Sequence, residues 1–141
     1  MSPMFGQGRE HGVPRLMRVS LSKDFDQIWI RFKLDRPLLA DAAPLTLGLY
    51  VDGQGTNDRM QFGLTLARRE LRRYFVIDQG VPHLHELDGE GFAMGDTVVV
   101  APFDAHWLAS VRQPMTVSAV LMYNATNVQN HFPVSVLNEL V

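Results

Sequence analysis

Polar and apolar residues exchange places at nearly every step in several short stretches of this chain. Gln27–Leu34 (QIWIRFKL) sets Ile28, Ile30, Phe32 and Leu34 on one side and Gln27, Trp29, Arg31 and Lys33 on the other. A period of two is the mark of a strand with one face buried. Residues 45–51 (LTLGLYV) repeat it with Leu45, Leu47, Leu49 and Val51 against Thr46, Gly48 and Tyr50. Residues 15–21, 61–66, 74–77, 97–100 and 115–123 add runs of strand length rich in β-branched or aromatic residues. Clusters of Pro, Gly, Asn and Asp at 38–44, 52–58, 78–82, 88–91, 101–105, 112–114 and 124–130 predict turns between them. Helical periodicity is scarce. Only residues 67–73 (ARRELRR) and 134–141 have helix-forming composition, and each is too short to be stable alone. Seven or eight short strands predict an all-β fold, an antiparallel β-sandwich or jelly roll with little helix. The turns leave no room for a linker, so residues 13–141 read as a single domain. Residues 1–12, with three glycines and few apolar anchors, read as a flexible N-terminal arm.

Composition narrows the class. The chain has 141 residues, 46% of them hydrophobic and 20% charged, which suits one globular domain and excludes collagen-like and wholly disordered readings. It has no cysteine, hence no disulfide framework, thiol nucleophile or zinc–thiolate site. No apolar run approaches the ~20 residues of a membrane-spanning helix, and the polar, Gly-rich opening does not read as a signal peptide.

Thirteen basic against fifteen acidic residues give a formal charge of −2, but the charges are not evenly spread. Between Arg59 and Arg73 lie five arginines and one acid, Glu70; between Asp78 and Asp104 lie six acids and no Lys or Arg. Neighbouring strands of opposite charge that neutralise one another are the simplest explanation. Arg68, Arg69, Arg72 and Arg73 beside Tyr74 and Phe75 have the chemistry to contact phosphate and stack bases. The negative overall charge weighs against nucleic acid as a partner.

No P-loop, GxGxxG or nucleophile elbow is present, and no carboxylate pair is singled out by spacing, so the chain leans away from catalysis. Residues 52–58 (DGQGTND) place oxygen-bearing side chains at alternate positions, as calcium loops do. They lack the Gly and Glu of an EF-hand and read better as a hairpin connection. His83 and His85, followed by Glu86, Asp88 and Glu90, form the most chemical-looking group. On an extended strand both imidazoles project to one side. With Gly95-Asp96 and His106 downstream, the segment resembles fragments of the cupin motifs, in which an HxH pair, a Glu and a later His bind a divalent metal inside a jelly roll. That resemblance implies His83, His85, Glu90 and His106 as ligands. The spacings from Gly80 to His83 and from His85 to Gly95 are shorter than the motif's, and a polar surface loop is the competing reading.

A second resemblance spans more of the chain. Asp24-Phe25-Asp26-Gln27-Ile28-Trp29-Ile30-Arg31-Phe32, residues 45–52 (LTLGLYVD) and residues 132–140 (FPVSVLNEL) are similar to the plan of DOMON-type and family-9 carbohydrate-binding β-sandwich modules. It implies ligand binding, of a glycan or in some relatives haem, rather than catalysis. Chemistry alone nominates Trp29, Tyr50 and Trp107 as ligand-binding residues, since flat aromatic faces meet the apolar faces of sugars. The leading expectation is therefore a non-catalytic module that recognises a glycan on an aromatic-bearing sheet face or loop edge, with a glycan or a protein as partner. The alternatives are a structural or assembly subunit, such as a viral or appendage β-domain, whose strand edges pair with further copies in a homo-oligomer, and a cupin-like metal-dependent protein.

Overall fold

The computed structural model describes residues 12–140, so the expected N-terminal arm lies, but for Gly12, outside the described residues. Among the described residues eleven strands form two sheets: β1 (Leu16–Asp24), β2 (Gln27–Leu34), β3 (Leu45–Asp52), β4 (Arg59–Ala67), β5 (Glu70–Asp78), β6 (His83–Glu86), β7 (Ala93–Met94), β8 (Val98–Asp104), β9 (Thr116–Tyr123), β10 (Thr126–Pro133) and β11 (Ser135–Val136). One sheet has the order β11-β1-β2-β8-β7 and the other β10-β9-β3-β4-β5-β6. Every pairing is antiparallel except that of β11 with β1. The chain is an all-β sandwich, with a single 3-10 turn over Ala105–Leu108.

The alternation read from sequence sets the two layers. Ile28, Ile30, Phe32 and Leu34 of β2 are buried to within 1% of complete, as are Leu47, Leu49 and Val51 of β3. Phe62 of β4 and Phe103 of β8 meet edge-to-face across the gap at 5.0 Å. Tyr74 of β5 stacks on Phe103 at 4.6 Å and donates its phenol hydrogen to the Pro102 carbonyl, tying the two sheets. Burial pushes the Tyr74 phenol well above its ordinary pKa. Outside the core, Gly48 and Gly63 face each other on β3 and β4, flanked in register by Val120 and Phe75. The Phe75 ring lies over Gly63 and is 6% exposed.

Two segments of helix-forming composition are strand and turn, and two expected turns are largely strand. Residues 67–73 are not helical. They form the β4–β5 hairpin, whose two-residue turn holds Arg68 and Arg69 at φ 54° and 59°, the type I′ pattern that matches strand twist. Residues 134–140 supply the two-residue β11 and no helix, with Asn138 exchanging hydrogen bonds with the Lys23 backbone at 2.8 and 2.9 Å. Only Asn124 and Ala125 of the turn expected at 124–130 are turn residues, and Thr126–Pro133 continues as edge strand β10. Residues 101–104 extend β8; β7 pairs with Val99 and Val100 alone, so Pro102 has a strand partner on one side only, where a missing N–H is tolerated.

Strand order brings the β1–β2 turn, the β3–β4 loop, the β5–β6 turn and the 3-10 turn to one end of the sandwich. At that end Phe25 is 92% exposed at φ 57°.

Candidate functional site

The three aromatic residues expected to bind ligand fall in three places. Trp29 stands on the outer face of the five-stranded sheet, because full burial of Ile28 and Ile30 sends the residue between them outward. Register sets Trp29 between Ser22 of β1 and Pro102 of β8. The next row places Arg31 between Ser20 and Val100, and the one after it places Lys33 between Arg18 and Val98. In the other direction Gln27 lies between Asp24 and Asp104. The Trp29 ring is half-buried, and no ring contact or side-chain hydrogen bond engages it among the described residues. Lys33 Nζ donates to Thr97 Oγ1 at 2.8 Å. Arg18 and Arg31 are exposed, and neither they nor Lys33 has an acidic partner among the described residues. Trp29, Arg31 and Lys33 follow at steps of ~7 Å along one strand, making a flat strip that is aromatic at one end and cationic at the other.

Tyr50 lies on the opposite surface, the outer face of the six-stranded sheet. One side of its ring is covered by the Arg59 guanidinium, 4.4 Å from the ring centre. Arg59 is in turn forked onto Asp52, directly across the β3–β4 pair, and the hydrogen bond to that carboxylate raises its pKa. Cation–π contact and ion pair together occupy this site.

Trp107 lies in the 3-10 turn and packs against the core. It stands between two imidazoles, His85 at 4.5 Å and His106 at 4.4 Å, and His83 extends the row at 4.3 Å from His85. Asp104 caps the turn: its carboxylate accepts from the His106 backbone N–H at 3.0 Å and contacts His106 Nδ1 at 2.8 Å, and these bonds hold its pKa below the usual carboxylate range. The expected metal ligands are thus only partly brought together. His83 and His85 share one side of β6, His106 is reached through the indole, and Glu90 sits in the β6–β7 connection with its N–H on Asp88. Among the described residues, no group of three or more His, Cys, Asp or Glu side chains is placed to hold a metal ion.

The 52–58 segment is the β3–β4 connection. Asp58 is committed to structure there, accepting from the Arg112 N–H at 2.9 Å and the Gly55 N–H at 3.4 Å. A Cβ on Gly53 would fall 2.2 Å from the same carboxylate.

The basic and acidic segments neutralise one another in part. Arg73 pairs with Glu86 across β5 and β6, and Arg72 pairs with Glu70 within β5. Tyr74 and Phe75 are 3% and 6% exposed, so neither is presented for base stacking. Of the cations on the outer face of the five-stranded sheet, alternation within β2 marks Arg31 and Lys33 beside Trp29. Arg18 joins them only through cross-strand register.

No family model, curated protein or solved structure matches this chain.

Proposed function

We propose that this domain is a non-catalytic recognition module that binds a glycan along the outer face of the five-stranded sheet, with Trp29 as the stacking platform. The observation that carries this reading is the state of the three candidate rings. Tyr50 lies beneath Arg59 and Trp107 lies between two histidines, whereas the half-buried Trp29 indole makes no ring contact or side-chain hydrogen bond among the described residues. An aromatic ring on a pleated, half-polar surface offers an apolar face to the C–H side of a sugar. Ser20, Ser22, Gln27 and Arg31 around it supply hydroxyl, amide and guanidinium groups for the sugar hydroxyls. The order of elements resembling DOMON-type and family-9 carbohydrate-binding modules supports the same ligand class.

Fluorescence tests this directly, because the chain has two tryptophans. In a Trp107→Phe variant that still melts cooperatively, Trp29 is the only indole. Titration with a panel of soluble oligosaccharides should give a saturable change in its emission for at least one. A flat response across the panel would remove the reading.

A further inference from the structure

We infer that the glycan taken by this face is anionic, carrying carboxylate or sulfate groups that Arg31, Lys33 and Arg18 neutralise. The inference rests on the glycan reading above and goes further, to the charge of the ligand. Four cations of the sandwich sit in ion pairs, Arg36 with Asp35, Arg59 with Asp52, Arg72 with Glu70 and Arg73 with Glu86, while the others have no acidic partner among the described residues. Beside Trp29 three such cations share one sheet face. Arg18 and Lys33 sit directly opposite each other on β1 and β2, an arrangement of like charges that costs stability, and Arg31 adds a third positive charge one row away. The acids of this face, Asp24 and Asp104, lie in the row on the far side of Trp29, and Asp104 is already bound to His106. Charge along β2 therefore runs from acidic at the loop end to cationic at the other.

A chain lying along β2 would set one sugar on the indole and bring the groups of the following sugars over a guanidinium and an ammonium. Arg presents a planar fork that meets carboxylate or sulfate with two parallel hydrogen bonds, and Lys33, steadied by Thr97, supplies a point charge. With a net formal charge of −2 on the whole chain, attraction for anions at this face comes from its local cations rather than from the net charge, and weakens as salt screens it.

The test measures binding of the 141-residue chain to four probes at low salt: a neutral oligosaccharide, an oligouronate, a sulfated oligosaccharide of equal length, and a single-stranded oligonucleotide. At least one anionic glycan should bind about ten-fold or more tightly than the neutral one, an advantage that shrinks as salt is raised, and the better of the two identifies carboxylate or sulfate as the group recognised. Arg31→Gln should lower affinity for that glycan about ten-fold, the loss of a charge-assisted hydrogen bond, a larger loss than it causes for the neutral sugar. Arg18→Gln should weaken the anionic glycan and leave the melting temperature equal or higher, because it relieves repulsion of Lys33. Equal affinity for neutral and anionic glycans would overturn the inference and leave the glycan reading standing. Absence of glycan binding, or tighter binding of the oligonucleotide, would overturn both.

Discussion

Replacing Gly63 by alanine should destabilise the sandwich, although alanine favours strands and restricts the unfolded chain more than glycine does. A Cβ built on Gly63 falls 2.5 Å from Cζ of Phe75 and 2.8 and 3.1 Å from its two Cε atoms, closer than packed carbon atoms come. The obstacle is a ring buried to 6% exposure rather than the end of a flexible chain, so the ring must swing off the sheet and give up its cover. Full exposure of a phenylalanine costs about 1.5–3 kcal/mol, and the restricted unfolded chain returns about 0.4–1 kcal/mol. The net loss is about 1–2 kcal/mol, which for a chain of this length lowers the melting temperature by about 3–7 °C. Calorimetry of Gly63→Ala measures it, and the same substitution in a Phe75→Ala background isolates the cause. Without the ring, alanine should be neutral or stabilising. A Gly63→Ala protein as stable as the parent, or one that loses as much in the Phe75→Ala background, would refute the claim that Phe75 sets the glycine requirement.

Three further outcomes follow from the geometry. Tyr74→Phe removes the phenol bond to the Pro102 carbonyl and should cost about 1 kcal/mol at neutral pH in urea unfolding. Because the Tyr74 pKa is raised in the folded state, its stabilisation is complete below the unfolded value of about 10 and declines as pH rises above it; a Tyr74→Phe protein that keeps the full alkaline decline would contradict this origin. Phe25 occupies the first position of a two-residue turn with φ 57°, where glycine is preferred, so Phe25→Gly should raise the urea midpoint, by up to about 1 kcal/mol of stability; a lower midpoint would mean the ring contributes contacts of its own. Asn138→Ala breaks both bonds to the Lys23 backbone and should speed amide exchange at Leu137, whose N–H is held by Leu21, while core amides of β3 and β4 keep their protection.

The strands that sequence reveals most plainly are those with one buried and one wet face. In β2 and β3 each side chain reports its surroundings, and the buried set named from alternation is the buried set found. Elements at the rim follow other rules. β10 (TNVQNHFP) is a bulged edge strand with mostly exposed side chains, so no core contact disciplines its sequence into alternation. Arg68-Arg69 forms a type I′ turn without the Asn-Gly that would announce it, and its flanking residues are good helix formers. The candidate site divides in the same way. Trp29 with Arg31 and Lys33 is legible within one strand, whereas Arg18 depends on a register set after the bulge between Leu16 and Arg18. The ring row from His83 to His106 depends on the 3-10 turn bringing Trp107 against β6, which no local spacing encodes.

The most direct measurement is a ¹⁵N–¹H spectrum of the labelled protein titrated with the tightest-binding anionic oligosaccharide. The indole Nε1–H of Trp29 and the amides of Ser20, Ser22, Arg31 and Lys33 should shift together and saturate at one dissociation constant. Shifts gathered instead at Trp107 and His85, or around Tyr50, with Trp29 unmoved, would contradict recognition on the outer face of the five-stranded sheet.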